Sequence, residues 1–293
     1  MGEGHCQHGG VSPIRQVPST DGVTLALIDL GGDGPPLLFC HPTGFHGMIW
    51  APLAAHLADV AHTWALDFRG HGDSSTPASM DFTWDRMVDD VLAVVDDLRI
   101  TEVKAVGHSM GGAALLLAEM RRPGTFAGFW LYEPVVFPRS PGMPASNPMA
   151  ATARRRRPWF PDAEAAYANF AAKPPLGSLD PAALRAYVDH GLRPRQSADG
   201  DHAVELKCAP EVEALVFENG LPAAAATFDR LAEVRIPVTI AASVDGGGPA
   251  HAAPLIVDAL PHGRLERFRL THFGPMEDTA GVAAAIRADL DLG

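Results

Sequence analysis

The chain has 293 residues, 47% of them hydrophobic and 20% charged, enough for one large domain or a core with a smaller insert. Its 35 acidic against 23 basic side chains leave a net charge of −12, which argues against nonspecific nucleic-acid binding and against docking on an anionic membrane. No apolar run reaches the roughly 18 residues that a spanning helix needs, so no membrane segment is expected.

The first residues, Met1–Gly10, are rich in Gly and His and lack a signal-peptide hydrophobic stretch, so a cytoplasmic protein is expected. Cys6, Cys40 and Cys208 are widely spaced and odd in number, matching neither a disulfide framework nor a zinc spacing. Cys40 ends an apolar strand and reads as a buried thiol.

In chain order, Val23–Leu30 is strand-like and the Gly- and Pro-rich run 31–36 is a turn. Leu37–Cys40 reads as a buried strand that runs into His41-Pro-Thr-Gly-Phe-His-Gly47. Trp50–Leu57 suits a helix. Thr63–Leu66 is a short strand followed by Asp67-Phe-Arg-Gly-His-Gly-Asp-Ser74. Trp84–Leu98 has helical spacing, with Met87, Val91, Val94, Val95 and Leu98 on its inward side. Val103–Val106 is a buried strand, Ala113–Arg121 a helix and Phe129–Tyr132 another strand.

After Glu133 the alternation stops. Pro134–Pro161 is dense in Pro, Ser, Met and Ala and predicts weak order. Ala163–Ala172, Pro181–Gly191 and Ala209–Asn219 give helical patterns only. The run Arg154-Arg-Arg-Arg157 reads as a solvated face or an ion-pairing rim, with an anion site as the alternative. Strand and helix alternate again from Val238–Ala242 through Ala250–Leu260 and Leu265–Leu270 to Thr279–Leu290. The expected division is a core of residues 1–133 and 231–293 with a helical cap over 134–230. Such alternation implies a mostly parallel sheet with helices on both faces, where ligands bind beyond the carboxyl ends of the strands. His41, Asp67, Ser109 and Glu133 all follow predicted strands and should collect on that rim.

The chemistry centres on Gly107-His-Ser-Met-Gly111, a Gly-x-Ser-x-Gly turn between a predicted strand and a predicted helix. Such a turn exposes the serine at its tip, and the glycines remove side chains that would collide with strand and helix. A serine hydroxyl needs a general base, and the base a third group to fix its tautomer. His272 is the candidate base: it follows the last apolar strand and completes the order Ser…acid…His. The backbone N–H of Met110, after the nucleophile, is the expected first donor to an oxyanion.

The motifs His41-Pro-Thr-Gly-Phe, Asp67-Phe-Arg-Gly-His-Gly-Asp-Ser, Gly107-His-Ser-Met-Gly-Gly and His272-Phe-Gly-Pro-Met-Glu277 together resemble the α/β-hydrolase fold, in its capped esterase and lactonase form. The resemblance spans nearly the whole chain outside 134–230. It implies a serine hydrolase of small or medium carboxylic esters or lactones, with Thr43 as the second oxyanion donor and with no metal or organic cofactor. Asp245 resembles the usual acid position, after the strand that follows the cap. Glu133, 24 residues after Ser109, resembles a minority position, and the two remain open. Arg69, His71 and Asp73 are expected to brace their loop, with His71 facing the pocket as the alternative, and His108 to pack. Members of the fold that open epoxides or remove halide carry an aspartate where Ser109 stands, which discounts both activities.

A carbon–carbon bond hydrolase, a haloperoxidase or a thioesterase would keep the same Ser–His pair, and a hydrolase-like ligand-binding protein could keep it without turnover. The expected partner is an apolar small-molecule ester or lactone, not nucleic acid or membrane, with a homodimer left open. Of the cap aromatics Trp159, Phe160, Tyr167, Phe170, Tyr187 and Phe217, most are expected in the cap's core and one or two at the substrate.

Overall fold

A computed structural model of the protein describes residues 13–139, 147–195 and 203–291. Cys6 and the Gly- and His-rich start lie outside the described residues. The chain opens with β1 (Ile14–Pro18), β2 (Thr24–Gly31) and β3 (Pro36–Cys40). Then follow α1 (Ala51–Ala54), β4 (His62–Asp67), α2 (Trp84–Leu98), β5 (Val103–His108), α3 (Met110–Arg121) and β6 (Phe126–Tyr132). The insert carries α4 (Pro148–Arg154), β7 (Trp159–Phe160), α5 (Ala163–Ala171), α6 (Pro181–Gly191), β8 (Leu192–Arg195), β9 (Ala203–Leu206) and α7 (Pro210–Phe228). The chain closes with β10 (Val238–Ser243), α8 (Pro249–Ala259), β11 (Gly263–Phe268), α9 (Gly274–Glu277) and α10 (Thr279–Asp289).

Eight strands form one sheet in the order β1-β2-β4-β3-β5-β6-β10-β11. From β4 to β11 every pairing is parallel, and β2 joins β4 antiparallel. This is the mostly parallel sheet expected from the alternation, in the α/β-hydrolase architecture that the motif resemblance implies. The order turns back at β3, with β4 on one side and β5 on the other, and such a switch point opens a crevice at the strand ends. One face of the sheet packs Leu38, Ala105 and Leu131 against Val91, Val94 and Leu115 of α2 and α3. The other face packs Phe39, Val106 and Trp130 with Trp50, Val282 and Ile286. The central strands are apolar on both faces, which is why they read as continuous hydrophobic runs rather than alternating ones.

Five expectations need correction. Strand β1 was not anticipated; only Val17 of its five residues is buried, so Ile-Arg-Gln-Val-Pro carries almost no core signal. The predicted helix over Trp50–Leu57 shrinks to a 3-10 turn at Gly47–Trp50 and one α-turn, α1. The insert is not purely helical: β7, β9 and β8 form a small antiparallel sheet whose strands, of two to four residues, are too short to show a period. Helix α4 stands inside the stretch expected to be weakly ordered, started by Asn147, which accepts from Met149 N at 3.0 Å, and by Pro148 at the first helical position. Helix α7 runs on past Asn219 and packs against α2 and α3, so the insert's last helix joins the core.

The loops after β3 and β4 are built from buried polar groups. Asp67 accepts from the Gly47 and Asp73 N–H groups at 2.5 and 2.7 Å. Arg69 is fully buried against Asp90 of α2, with Nε and Nη2 donating to its carboxylate at 2.9 and 2.6 Å. His41 donates from Nδ1 to Pro42 O and accepts the Phe68 N–H at Nε2. His71 accepts the Gly44 N–H at Nε2, which leaves its proton on Nδ1 toward Arg69 O. Arg69, His71 and Asp73 therefore brace these loops, and His71 is buried behind the cavity wall.

Two outcomes follow from this interior. Removing one partner of a fully buried ion pair strands the other charge, so Asp90→Ala should cost about 3–5 kcal/mol in urea unfolding. Asp89→Ala, one residue away and part-exposed, should cost no more than about 1 kcal/mol. Burial also holds His41, His46, His71 and His108 neutral, with His46 and His71 lowered to about 4 and His41 and His108 lowered well below the ordinary imidazole value. The unfolded chain protonates these groups near pH 6.5. Stability conferred by the neutral rings is therefore complete above about pH 6.5 and is lost as pH falls toward 4, at up to about 1.4 kcal/mol per pH unit per ring. Asp67, pushed up to about 7 by burial, and Asp90, also raised by burial, oppose this. A net loss of at least about 1 kcal/mol per pH unit between pH 6 and 4.5 is expected in denaturant titrations; constant stability across that window would contradict it.

Candidate active site

Ser109 lies between β5 and α3 with φ 55° and ψ −116°, a conformation that non-glycine residues avoid. Its N–H donates to Tyr132 O at 3.0 Å, and its carbonyl accepts from Ala113 and Val135 N–H, each at 3.2 Å. The turn closes because neighbours occupy the space of missing side chains. A Cβ on Gly111 would stand 2.3 Å from Cys40 O, and one on Gly107 2.6 Å from Gly112 Cα. Met110 is the first residue of α3, so its N–H has no carbonyl partner within the helix.

The Pro42–Phe45 loop brings Thr43 to the same cavity wall. On either side of it the Gly44 N–H is held by His71 and the Phe45 N–H by Pro42 O. Gly44 has φ 80°, and a Cβ there would meet the Glu213 carboxylate at 2.8 Å.

His272 sits after β11. Its loop is clamped by the Tyr132 hydroxyl donating to Thr271 O at 2.7 Å and by Glu277 accepting from the Thr271 N–H and hydroxyl at 2.8 and 2.5 Å. Its Nδ1 meets Glu133 Oε2 at 2.5 Å. Glu133 is 1% exposed, at φ 43°, and its Oε1 accepts the Ser243 N–H at 2.9 Å. The imidazole thus presents Nε2 to the cavity and Nδ1–H to a buried carboxylate. Phe273 and His108 flank it, with ring centroids 5.3 and 4.9 Å away. His108 is fully buried, its ring nitrogens have no partner among the described residues, and burial holds it neutral.

Asp245 lines the same cavity from the turn after β10, but it is exposed and makes no hydrogen bond to His272. The geometry separates the two candidate acids: Glu133 contacts the histidine, and Asp245 makes no hydrogen bond to it. The physical reason is that Glu133 directly follows β6 and is fixed by the last N–H of β10, whereas Asp245 stands two residues beyond the end of β10 and is exposed. No hydrogen bond closes between the Ser109 hydroxyl and the imidazole among the described residues; such contacts often tighten only around a substrate.

Ser109, Glu133, Asp245, His272 and Thr43 open onto one cavity of about 1160 Å³ between the strand ends and the insert. Phe160, Phe170, Tyr187 and Phe217 line it, more of the aromatics than expected, while Tyr167 instead lies under Arg185 and Trp159 is exposed. Sequence reasoning missed Ser243, whose contribution is a backbone N–H without side-chain signal. It quoted Glu277 only as part of a motif, although the fixed spacing from Thr271 was visible. Trp84 also lines the cavity, having read as the first residue of a core helix. No group of three or more possible metal ligands converges among the described residues, and no helix among them is long and apolar enough to cross a membrane.

Comparison with known proteins bears on the whole arrangement. A family model described as alpha/beta hydrolase fold matches residues 35–268. Lipase LipV of Mycobacterium tuberculosis is 36% identical over 116 residues, 38% of this chain and 43% of that protein. An epoxide hydrolase of Caballeronia sordidicola is 32% identical over 121 residues, 40% of this chain and 36% of that protein. The chain thus spans less than half the length of these curated relatives. The solved structure of E-2-(acetamidomethylene)succinate hydrolase superposes with a TM-score of 0.78 at 22% identity, over 96% of this chain and 99% of that one, a likeness of fold. A family match of that span, on a chain folded in this way, makes the protein a member of the alpha/beta hydrolase fold family.

Proposed function

We propose that the protein is a serine hydrolase that cleaves a small or medium carboxylic ester or lactone through an acyl-enzyme. The observation that carries this reading is the 2.5 Å contact between His272 Nδ1 and the buried Glu133 carboxylate, on the cavity that also holds the Ser109 turn. Ser109 Oγ attacks the carbonyl carbon and gives its proton to His272 Nε2. Glu133 accepts the Nδ1–H and stabilises the imidazolium without taking the proton. The N–H groups of Met110 and Thr43 hold the tetrahedral oxyanion. His272 then protonates the leaving alcohol, and water, deprotonated by the same histidine, releases the acid. These steps need no metal or organic cofactor. The lipase relative accords with ester cleavage. The epoxide hydrolase relative matches in fold, and the serine at position 109 favours acyl transfer over epoxide opening. Phe45, Val135, Phe137, Val216 and Leu270 supply an apolar bed for the substrate's hydrocarbon.

The test is labelling with a fluorophosphonate followed by intact mass and peptide mapping. One adduct on Ser109, lost in His272→Ala, is expected, together with a fall in ester turnover of about 10⁵–10⁶ in Ser109→Ala and His272→Ala. Glu133→Gln should lower turnover by about 10⁴, and Asp245→Asn by only a few-fold. A folded protein with neither adduct nor turnover would overturn the reading. Collapse of activity in Asp245→Asn with a harmless Glu133→Gln would overturn the choice of acid.

A further inference from the structure

The four-arginine run does not act as one surface feature. Arg154 is bound by acids on α7, donating to Glu211 at 2.8 and 2.9 Å and to Glu218 at 2.5 Å. Arg156 turns inward, pairs with Glu213 and donates to the Tyr187 hydroxyl at 2.7 Å. Arg155 and Arg157 alternate with these and line the cavity, with no carboxylate in contact among the described residues. The Arg155 guanidinium reaches only Thr152 Oγ1, at 3.3 Å. Arg157, though exposed, lies over the Phe160 ring at 4.8 Å and donates to Trp159 O at 2.9 Å, contacts that hold its guanidinium in place. From α5's end comes a third cation, Lys173, bonded to Asn169 Oδ1 at 2.7 Å, and both residues line the same cavity.

Charge bookkeeping around the wall sharpens the point. Of the acids lining the cavity, Glu133 is taken by His272 and Glu213 by Arg156, which leaves Asp245 against Arg155, Arg157 and Lys173. A protein of net charge −12 has carboxylates to spare, yet among the described residues none contacts these three cations on the wall of a largely apolar cavity. An anion entering there meets guanidinium groups whose hydrogen-bonding geometry suits a carboxylate. Asp245, on the same cavity, favours a singly charged group over a doubly charged phosphate.

The geometry points to a substrate-anion subsite: the preferred substrate carries, at the end remote from the scissile ester, a carboxylate received by Arg155, Arg157 and Lys173. This rests on the hydrolase reading and narrows it from an apolar ester to an apolar ester with an acidic tail. It also assigns Arg155 and Arg157 of the arginine run to specificity.

The test compares 4-nitrophenyl hexanoate with the mono-4-nitrophenyl ester of adipic acid, which replaces the terminal methyl with a carboxylate. At low salt and pH 7.5, kcat/KM for the acid ester should exceed that for the neutral one about tenfold, through KM. The ratio should shrink at high ionic strength, because the subsite is partly exposed. In the variant carrying Arg155→Gln, Arg157→Gln and Lys173→Gln it should fall to about one or below. Equal ratios in the wild type and this triple variant, or a wild-type preference for the neutral ester, overturn the subsite. A separate arm measures binding in Ser109→Ala by calorimetry, with the stable pair adipic acid monoanilide and hexananilide. If neither ester is turned over but the acidic anilide still binds about tenfold tighter, and loses that advantage in the triple variant background, the hydrolase reading fails and the anion subsite stands. If the neutral ester is cleaved while the acidic anilide gains nothing, the subsite fails and the hydrolase reading stands.

Discussion

The turn at Ser109 is the constraint around which the other parts are fitted. A serine held at φ 55° and ψ −116° costs on the order of 1–3 kcal/mol, and the surroundings must hold it there. They do so by crowding. Gly111 lies against the end of β3, Gly107 against the start of α3, and Gly112 allows Pro134 to come within 3.0 Å of where its Cβ would be. The N–H and carbonyl of Ser109 are tied to Tyr132 and Val135, on either side of Glu133. The strand ends that carry Thr43 and Glu133 are thereby packed onto the turn itself. Any backbone shift that relaxed the serine would move the neighbouring wall loops with it.

Much of this was legible in the sequence because it follows from backbone rules. Buried parallel strands give unbroken apolar runs, and Leu37–Cys40, Val103–Val106 and Val238–Ala242 were readable for that reason. The amphipathic spacing of α2 fixed it to the residue. Ser109 and His272 were readable because each stands at a strand end inside a motif. The choice between Glu133 and Asp245 was not, since either carboxylate follows a strand and the Ser243 N–H that fixes Glu133 against the histidine leaves no side-chain signal. Edge strand β1, the two- to four-residue strands of the insert and the Ser243 N–H leave no periodic or compositional trace. Pairing partners across long separations, such as Arg156 with Glu213, are likewise invisible to local pattern.

The insert is joined to the core by polar contacts as well as by packing. Glu213 of α7 meets Arg156 just beyond α4, and Arg156 meets Tyr187 of α6. The Tyr187 hydroxyl in turn donates to Gly44 O at 3.4 Å. His46 stacks on the same tyrosine and meets its carbonyl at 3.1 Å. The roof of the cavity and the loop bearing Thr43 are thus one hydrogen-bonded unit, buried enough for each polar partner to depend on the others. Rigid placement of a roof over a preformed floor suits a site that orients its ligand by shape before any bond is broken.

The turn after β10 has a different standing. Glu133 is anchored by the N–H of Ser243, the last residue of that strand, and the chain beyond it takes no part in holding the histidine. Val244 and Asp245 are exposed, and Gly247 and Gly248 have open space around them. A segment that forms a wall yet makes no hydrogen bond to the histidine can accumulate substitutions and insertions that leave the Glu133–His272 contact intact. With that contact anchored at the end of β6, descent with modification has one side of the cavity on which to explore new ligands.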